Sequence, residues 1–201
     1  MRLRFVASYY VLRRVAALSV VAVAIATGTH AVHAQETQEI TRLVRSGQTE
    51  QAMQRLDAAL AANPKDAQLR FLKGVLLSDQ KRSTEAIQVF VSLTEDYPEL
   101  AEPWNNLAVL YAGEGRYDKA RAALELAIKT QPNYAIAHEN LGDVYLKLAT
   151  QSYERAISLD ITNLQAKRKL SIARELLGSS TPTPALVEPP KTPAATPAAK
   201  R

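Results

Sequence analysis

Apolar residues recur along this chain at helical spacing, in blocks separated by turn residues. In residues 101–134, AEPWNNLAVLYAGEGRYDKARAALELAIKTQPNY, one face carries Leu107, Ala108 and Tyr111 and another carries Ala120, Leu124 and Ala127. Gly113, Gly115 and Asp118 interrupt the pattern. The stretch predicts two helices joined by a turn, with Asp118 capping the second. Pro103 suits a first helical turn, where its missing N–H does no harm, and Pro132 stops the second helix. The small residues Ala108, Ala120 and Ala127 let the two helices pack closely. A hairpin of this size cannot bury its apolar face alone, so it must stack on similar neighbours.

The neighbours are present. Residues 35–66 hold a worn copy, with Ile40, Leu43 and Val44 in a short first helix and a turn at Ser46-Gly47-Gln48. Its second half, Ala52-x3-Leu56-x2-Ala59 followed by Pro64, is complete. Residues 67–100 hold another copy, with Gly74 and Leu77 in the first helix and Ala86-x3-Phe90 and Pro98 in the second. Its turn is Lys81-Arg82-Ser83-Thr84, where Ser83 or Thr84 is the expected cap. Pro64, Pro98 and Pro132 are spaced by 34 residues each time.

The pattern changes in residues 135–162. Tyr145 and Tyr153 are 8 residues apart, where Tyr111 and Leu124 are 13 apart, and no Gly, Pro, Asn or Asp lies between Tyr145 and Ala156. Leu141, Tyr145, Leu148, Ser152, Ala156 and Leu159 form one stripe. This predicts one continuous helix over residues 135–159, about 36 Å long at 1.5 Å per residue. Its C-terminal half needs a partner, either the last helix or a second chain, which makes a homodimer one expectation. Residues 163–178 predict that last helix, with Leu164, Leu170, Ala173, Leu176 and Leu177 as its apolar face and Gly178 at its end. Lys167, Arg168, Lys169 and Arg174 are expected on its solvated side.

Trp104-x2-Leu107-Ala108-x2-Tyr111, then Ala120-x3-Leu124-x2-Ala127, then Pro132, resembles the tetratricopeptide repeat (TPR) signature, with Ala108 in place of Gly and Leu124 in place of Phe. The resemblance covers residues 38–162. It implies an all-α, right-handed α-α superhelix, with TPR 1 at 35–66, TPR 2 at 67–100, TPR 3 at 101–134, a truncated TPR 4 at 135–162 and a capping helix at 163–178. In the family, the first helices of successive repeats line a groove that holds a peptide or helix of a partner protein. Carried onto this chain, the candidate groove residues are Phe71, Leu72, Val75 and Asp79, then Asn105, Asn106 and Val109, then Ile136, Glu139, Asn140 and Asp143. Members that clamp a C-terminal carboxylate use Lys, Arg and Asn. Phe71, Val75, Asn106, Ile136 and Asn140 stand at those places, so clamp binding is not expected.

Charge changes the picture only at the front. The chain carries 25 Lys and Arg against 20 Asp and Glu, but residues 1–34 hold four of the arginines and no acid. The remainder is nearly neutral and gives no footprint for nucleic acid. Residues 1–14 are basic, residues 15–27 (VAALSVVAVAIAT) are apolar, and Val32-His33-Ala34 precedes an expected cut between Ala34 and Gln35. This is the layout of a secretory signal peptide, with an apolar core shorter than a spanning helix needs. The expected destination is the prokaryotic periplasm, with no transmembrane segment after cleavage. Left uncut, residues 15–34 would anchor the chain in the inner membrane. Residues 179–201 are rich in Pro, Ala and Thr and are expected to be disordered, a spacer or solubilising tail.

Residues that could carry chemistry are few. There is no cysteine, and His138 is the one histidine after residue 34. It stands where Trp104 stands one repeat earlier, so a packing role is expected. No phosphate-binding glycine loop or nucleophile elbow occurs. The expectation is a non-enzymatic scaffold without a cofactor. Some exported family members assist cytochrome or cell-wall assembly, and that accessory role is a further alternative implied by the resemblance.

Overall fold

The computed structural model describes residues 35–179. The expectations of a signal segment and anchor over 1–34 and of a tail over 179–201 lie outside the described residues, except that Ser179 ends the last helix and is not part of a disordered tail. The described residues form eight helices and no strand: α1 (residues 35–45), α2 (Thr49–Ala62), α3 (Ala67–Asp79), α4 (Ser83–Asp96), α5 (Ala101–Gly113), α6 (Tyr117–Thr130), α7 (Ala135–Leu159) and α8 (Leu164–Ser179). The chain divides into two compact units, residues 1–55 and 56–201, and the division falls within α2.

In the first unit, α1 and the start of α2 bury Thr37, Ile40, Leu43 and Ala52. The turn between them places Gly47 at φ +73°, a left-handed conformation that costs glycine little.

The second unit is a run of antiparallel hairpins. α3 packs on α4, α5 on α6 and α7 on α8, while α4 meets α5 and α6 meets α7 across successive hairpins. The turns between α3 and α4 and between α5 and α6 share one geometry. Lys81 sits at φ +62° and Gly115 at φ +72°, and the residue after each donates its N–H back to Leu77 or Tyr111. This left-handed residue sets where the second helix begins. The N-cap positions therefore fall on Arg82 and Arg116, with no side-chain cap. The expected caps Ser83, Thr84 and Asp118 lie instead in the first turns of α4 and α6. Arg82 forms a two-pronged pair with Glu85, at 2.7 and 2.6 Å.

Small residues decide how closely the paired helices approach. Gly74 of α3 faces the ring of Phe90 of α4, and a Cβ at position 74 would meet Phe90 Cζ at 2.6 Å. Phe71 packs its ring against the same phenyl group edge-on, at 5.7 Å and 68°. In the next hairpin, 34 residues on, Ala108 and Leu124 take the places of Gly74 and Phe90, and both are buried. One extra methyl on the first helix is matched by a smaller side chain on the second.

α7 runs unbroken for 25 residues. Its N-terminal half packs on α6 and α5, and its C-terminal half pairs with α8. α8 is capped by Asn163, whose Oδ1 accepts from the Ala166 N–H at 2.9 Å, and it extends through Gly178 to Ser179. The faces expected to be apolar and covered on these two helices are covered only in part. Ala166, Leu170 and Ala173 are buried, whereas Tyr145, Leu159, Leu164 and Leu176 are 49, 72, 66 and 48% exposed. The reason is that α8 has α7 and no other described helix against it.

We expect Gly74→Ala to destabilise the protein by about 1–3 kcal/mol, because the new methyl overpacks a buried phenyl ring. Gly74→Ala/Phe90→Leu, which installs the pair found in the following hairpin, should show favourable coupling in a double-mutant cycle by urea denaturation.

Candidate functional site

The first helices α3, α5 and α7 touch in sequence, and residues 34 apart occupy corresponding places on them. Along that series the surface opens. Phe71 and Asn105 are fully buried, while Glu139 is exposed. Val75 is 7% exposed, Val109 is 37% exposed, and Asp143 is half-buried. Leu72 is buried, and Asn106 and Asn140 are half-buried.

Phe71, Leu72 and Val75, expected among the candidate groove residues, are therefore core residues here. Phe71 is held by the edge of Phe90, and Leu72 and Val75 are buried on the same helix. Apolar character favours burial wherever a neighbouring element can cover it. The accessible part of the candidate set is Asp79, Val109, Ile136, Glu139 and Asp143, with Asn106 and Asn140 beside them. Burial pushes the Asp79 carboxyl above its ordinary value, with Lys81 acting in the opposite sense.

The three asparagines have structural bonds. Asn140 Nδ2 on α7 donates to Asn105 Oδ1 on α5 at 2.8 Å, tying two first helices together across 35 residues of sequence. Asn106 Nδ2 donates to the Glu102 carbonyl one turn earlier, at 3.0 Å. Among the described residues, Asn105 Nδ2 is enclosed without a hydrogen-bond partner, as is the hydroxyl of Tyr134. Burial, and then the nearby Glu102 carboxylate, hold the Tyr134 phenol well above its usual value. Sequence reasoning did not single out Tyr134, because a tyrosine beside a turn proline gives no signal of being enclosed.

His138 has a local role. Its Nε2 donates to the Pro132 carbonyl at 3.0 Å, as Trp104 Nε1 donates to the Pro98 carbonyl at 3.2 Å one repeat earlier. Both rings fasten a first helix to the turn before it. Among the described residues no three His, Asp or Glu side chains come together in a way that could hold a metal ion, and no helix is long and apolar enough to cross a membrane. In the first unit an open cleft of about 600 Å³ is lined by Gln35, Glu36, Gln38, Glu39, Arg42 and Arg55. Its charges are paired within the cleft, Arg42 with Glu39 at 3.0 Å and Arg55 with Glu36 at 3.8 Å.

Repeated helical hairpins, closed by a small residue on the first helix and presenting their first helices side by side, define an α-helical repeat protein. Family comparison makes the assignment specific: tetratricopeptide repeat profiles match residues 37–101 and 113–149. The chain belongs to the tetratricopeptide repeat family, and its fold class is the all-α TPR solenoid. The chloroplastic tetratricopeptide repeat domain-containing protein PYG7 of Arabidopsis thaliana is 39% identical over 77 residues, covering 36% of this chain and 26% of PYG7. The crystal structure of MamA superposes with a TM-score of 0.54 at 21% identity, covering 73% of this chain and 82% of MamA. PilF of Pseudomonas aeruginosa superposes with a TM-score of 0.54 at 20% identity, covering 72% of this chain and 68% of PilF. At these identities the two structures bear on the fold alone. Of four curated relatives it matches, the chain spans from 10% to 46% of the length. Proteins of this family generally act as protein–protein interaction scaffolds.

Replacing Asn140 by Leu should cost about 1–3 kcal/mol, because the buried Asn105 Oδ1 loses the hydrogen bond it accepts. Asn106→Ala removes a bond made within one helix and should cost no more than about 1 kcal/mol. Thermal unfolding of the two variants side by side checks the difference.

Proposed function

We propose that the protein is a non-enzymatic adaptor that holds a segment of a partner protein against the exposed surface of α5 and α7. The observation that carries this reading is the state of Val109, Glu139 and Asp143. Val109 is an exposed aliphatic side chain on α5, and Glu139 and Asp143 make no hydrogen bond or ion pair among the described residues. Unused carboxylates beside an exposed aliphatic residue suit a short segment, peptide or helix, that bears Lys or Arg next to an apolar anchor. Asp79 at the end of α3 extends the same acidic character.

The reading places the protein in a bacterial cell envelope. Its support is the basic and apolar N-terminal stretch ending at Ala34, which has the layout of an export signal. Cleavage would release the chain into the periplasm, and retention of residues 15–34 would leave it anchored. A homodimer built on α7 is the weaker reading, because α8 of the same chain already lies along the C-terminal half of that helix.

Affinity capture from envelope extract with the full chain as bait, followed by titration of the captured partner, tests the adaptor reading. Glu139→Lys/Asp143→Lys should weaken the partner by about tenfold, at up to about 1 kcal/mol for each exposed charge. Val109→Asp should weaken it by a similar factor. An affinity unchanged in both variants would remove this surface from the binding site.

A further inference from the structure

The turn between α7 and α8 departs from the other turns of the chain in a way that folding does not require. The hydrogen bonds align the turns. Gln131 donates to Ala127 and Tyr134 to Gln131, and in the same way Asp160 donates to Ala156 and Asn163 to Asp160. Leu159, Ile161 and Leu164 thus stand where the preceding turn has Thr130, Pro132 and Ala135, and where the one before has Asp96, Pro98 and Ala101. The three aliphatic side chains are 72, 74 and 66% exposed. They serve neither the turn nor the cap. Asp160 Oδ1 accepts from the Thr162 N–H and hydroxyl at 2.9 and 2.7 Å, and Asn163 caps α8.

Cations stand behind this tip. Between residues 154 and 175 there are five Lys and Arg against three Asp and Glu. Arg155, on the last turns of α7, and Arg168, early in α8, are exposed and make no ion pair among the described residues. Lys167 precedes Arg168, and the Asp160 carboxylate, held below its ordinary value first by the Thr162 hydrogen bonds, also feels the Lys167 charge. Two copies meeting tip to tip would bring like charges together, so the charge pattern fits an anionic occupant rather than a second copy. Shape favours a surface over a peptide. The tip ends a hairpin whose α8 rests on α7 alone among the described helices, so its exposed side chains lie on a turn and not in a groove between helices.

We propose that the α7–α8 turn is a membrane-docking tip, which inserts Leu159, Ile161 and Leu164 into the interfacial layer of an anionic bilayer while Arg155, Lys167 and Arg168 meet the lipid headgroups. Aliphatic side chains in the acyl boundary with basic side chains at headgroup level are the two interactions that hold peripheral proteins on anionic membranes. This surface is separate from Val109, Glu139 and Asp143, so it can act while those residues hold a protein partner.

The chain contains no cysteine, so single labels report cleanly on the full-length protein. Ile161→Cys and, as a control in the preceding turn, Gln131→Cys would each carry an environment-sensitive dye. Vesicles of phosphatidylcholine alone would be compared with vesicles that also contain phosphatidylglycerol. The expected result is a blue shift and gain in intensity at position 161 with the anionic vesicles only, and none at position 131. In sedimentation with the anionic vesicles, Lys167→Glu/Arg168→Glu should reduce binding roughly tenfold or more. Leu159→Ser/Ile161→Ser should reduce it to a similar degree. Absence of vesicle binding would overturn the proposal. So would vesicle binding that leaves the dye at 161 unshifted and both double variants unaffected, since the contact would then lie elsewhere in the chain, as at residues 1–34. Failure to bind vesicles combined with capture of an acidic protein through these same residues would also overturn it, in favour of a protein ligand.

Discussion

Everything in the second unit depends on how closely the first and second helices of a hairpin can approach. A hairpin of about thirty residues has too little apolar surface to fold by itself, so its helices must be close enough to share one layer with the next hairpin. Gly74 beneath the Phe90 ring and Ala108 opposite Leu124 are two solutions to that constraint. With this approach go the left-handed residues of the α3–α4 and α5–α6 turns, the ring–carbonyl bonds of Trp104 and His138, and the Asn140–Asn105 bond between first helices.

The side-by-side array of first helices changes character along the chain. Towards α3 it is sealed, with Phe71, Leu72 and Val75 in the core. Towards α7 it is open and acidic. The binding surface proposed for this protein therefore lies on α5 and α7 in particular. The C-terminal hairpin differs again. It is made of a long helix and one short partner, and it leaves apolar side chains in water that every earlier turn avoids.

The helical repeat class was legible from spacing, because packing residues must return to the same face every 34 positions, and the family was legible from the signature residues Trp104, Leu107, Tyr111, Ala120 and Pro132. Turn chemistry was less legible. Ser83, Thr84 and Asp118 have good capping side chains, but the left-handed residues at 81 and 115 set the helix starts one or two residues earlier. The candidate surface was the least legible. Repeat position states which helix face a residue occupies, but whether that face is covered depends on its neighbours. Phe71 and Glu139 share a repeat position, and only three-dimensional packing separates the buried one from the exposed one. The same holds for Leu164, which belongs to an apolar helical pattern yet lies beyond the reach of α7.

The most direct measurement of this account is thiol accessibility along one repeat position. In a chain without cysteine, Val75→Cys, Val109→Cys and Asp143→Cys would be treated with a water-soluble alkylating reagent under native conditions. The account predicts slow, protected modification at 75 and rapid modification at 109 and 143. Rapid modification at 75 in a folded protein, or protection at both 109 and 143, would contradict a surface that opens from α3 towards α7.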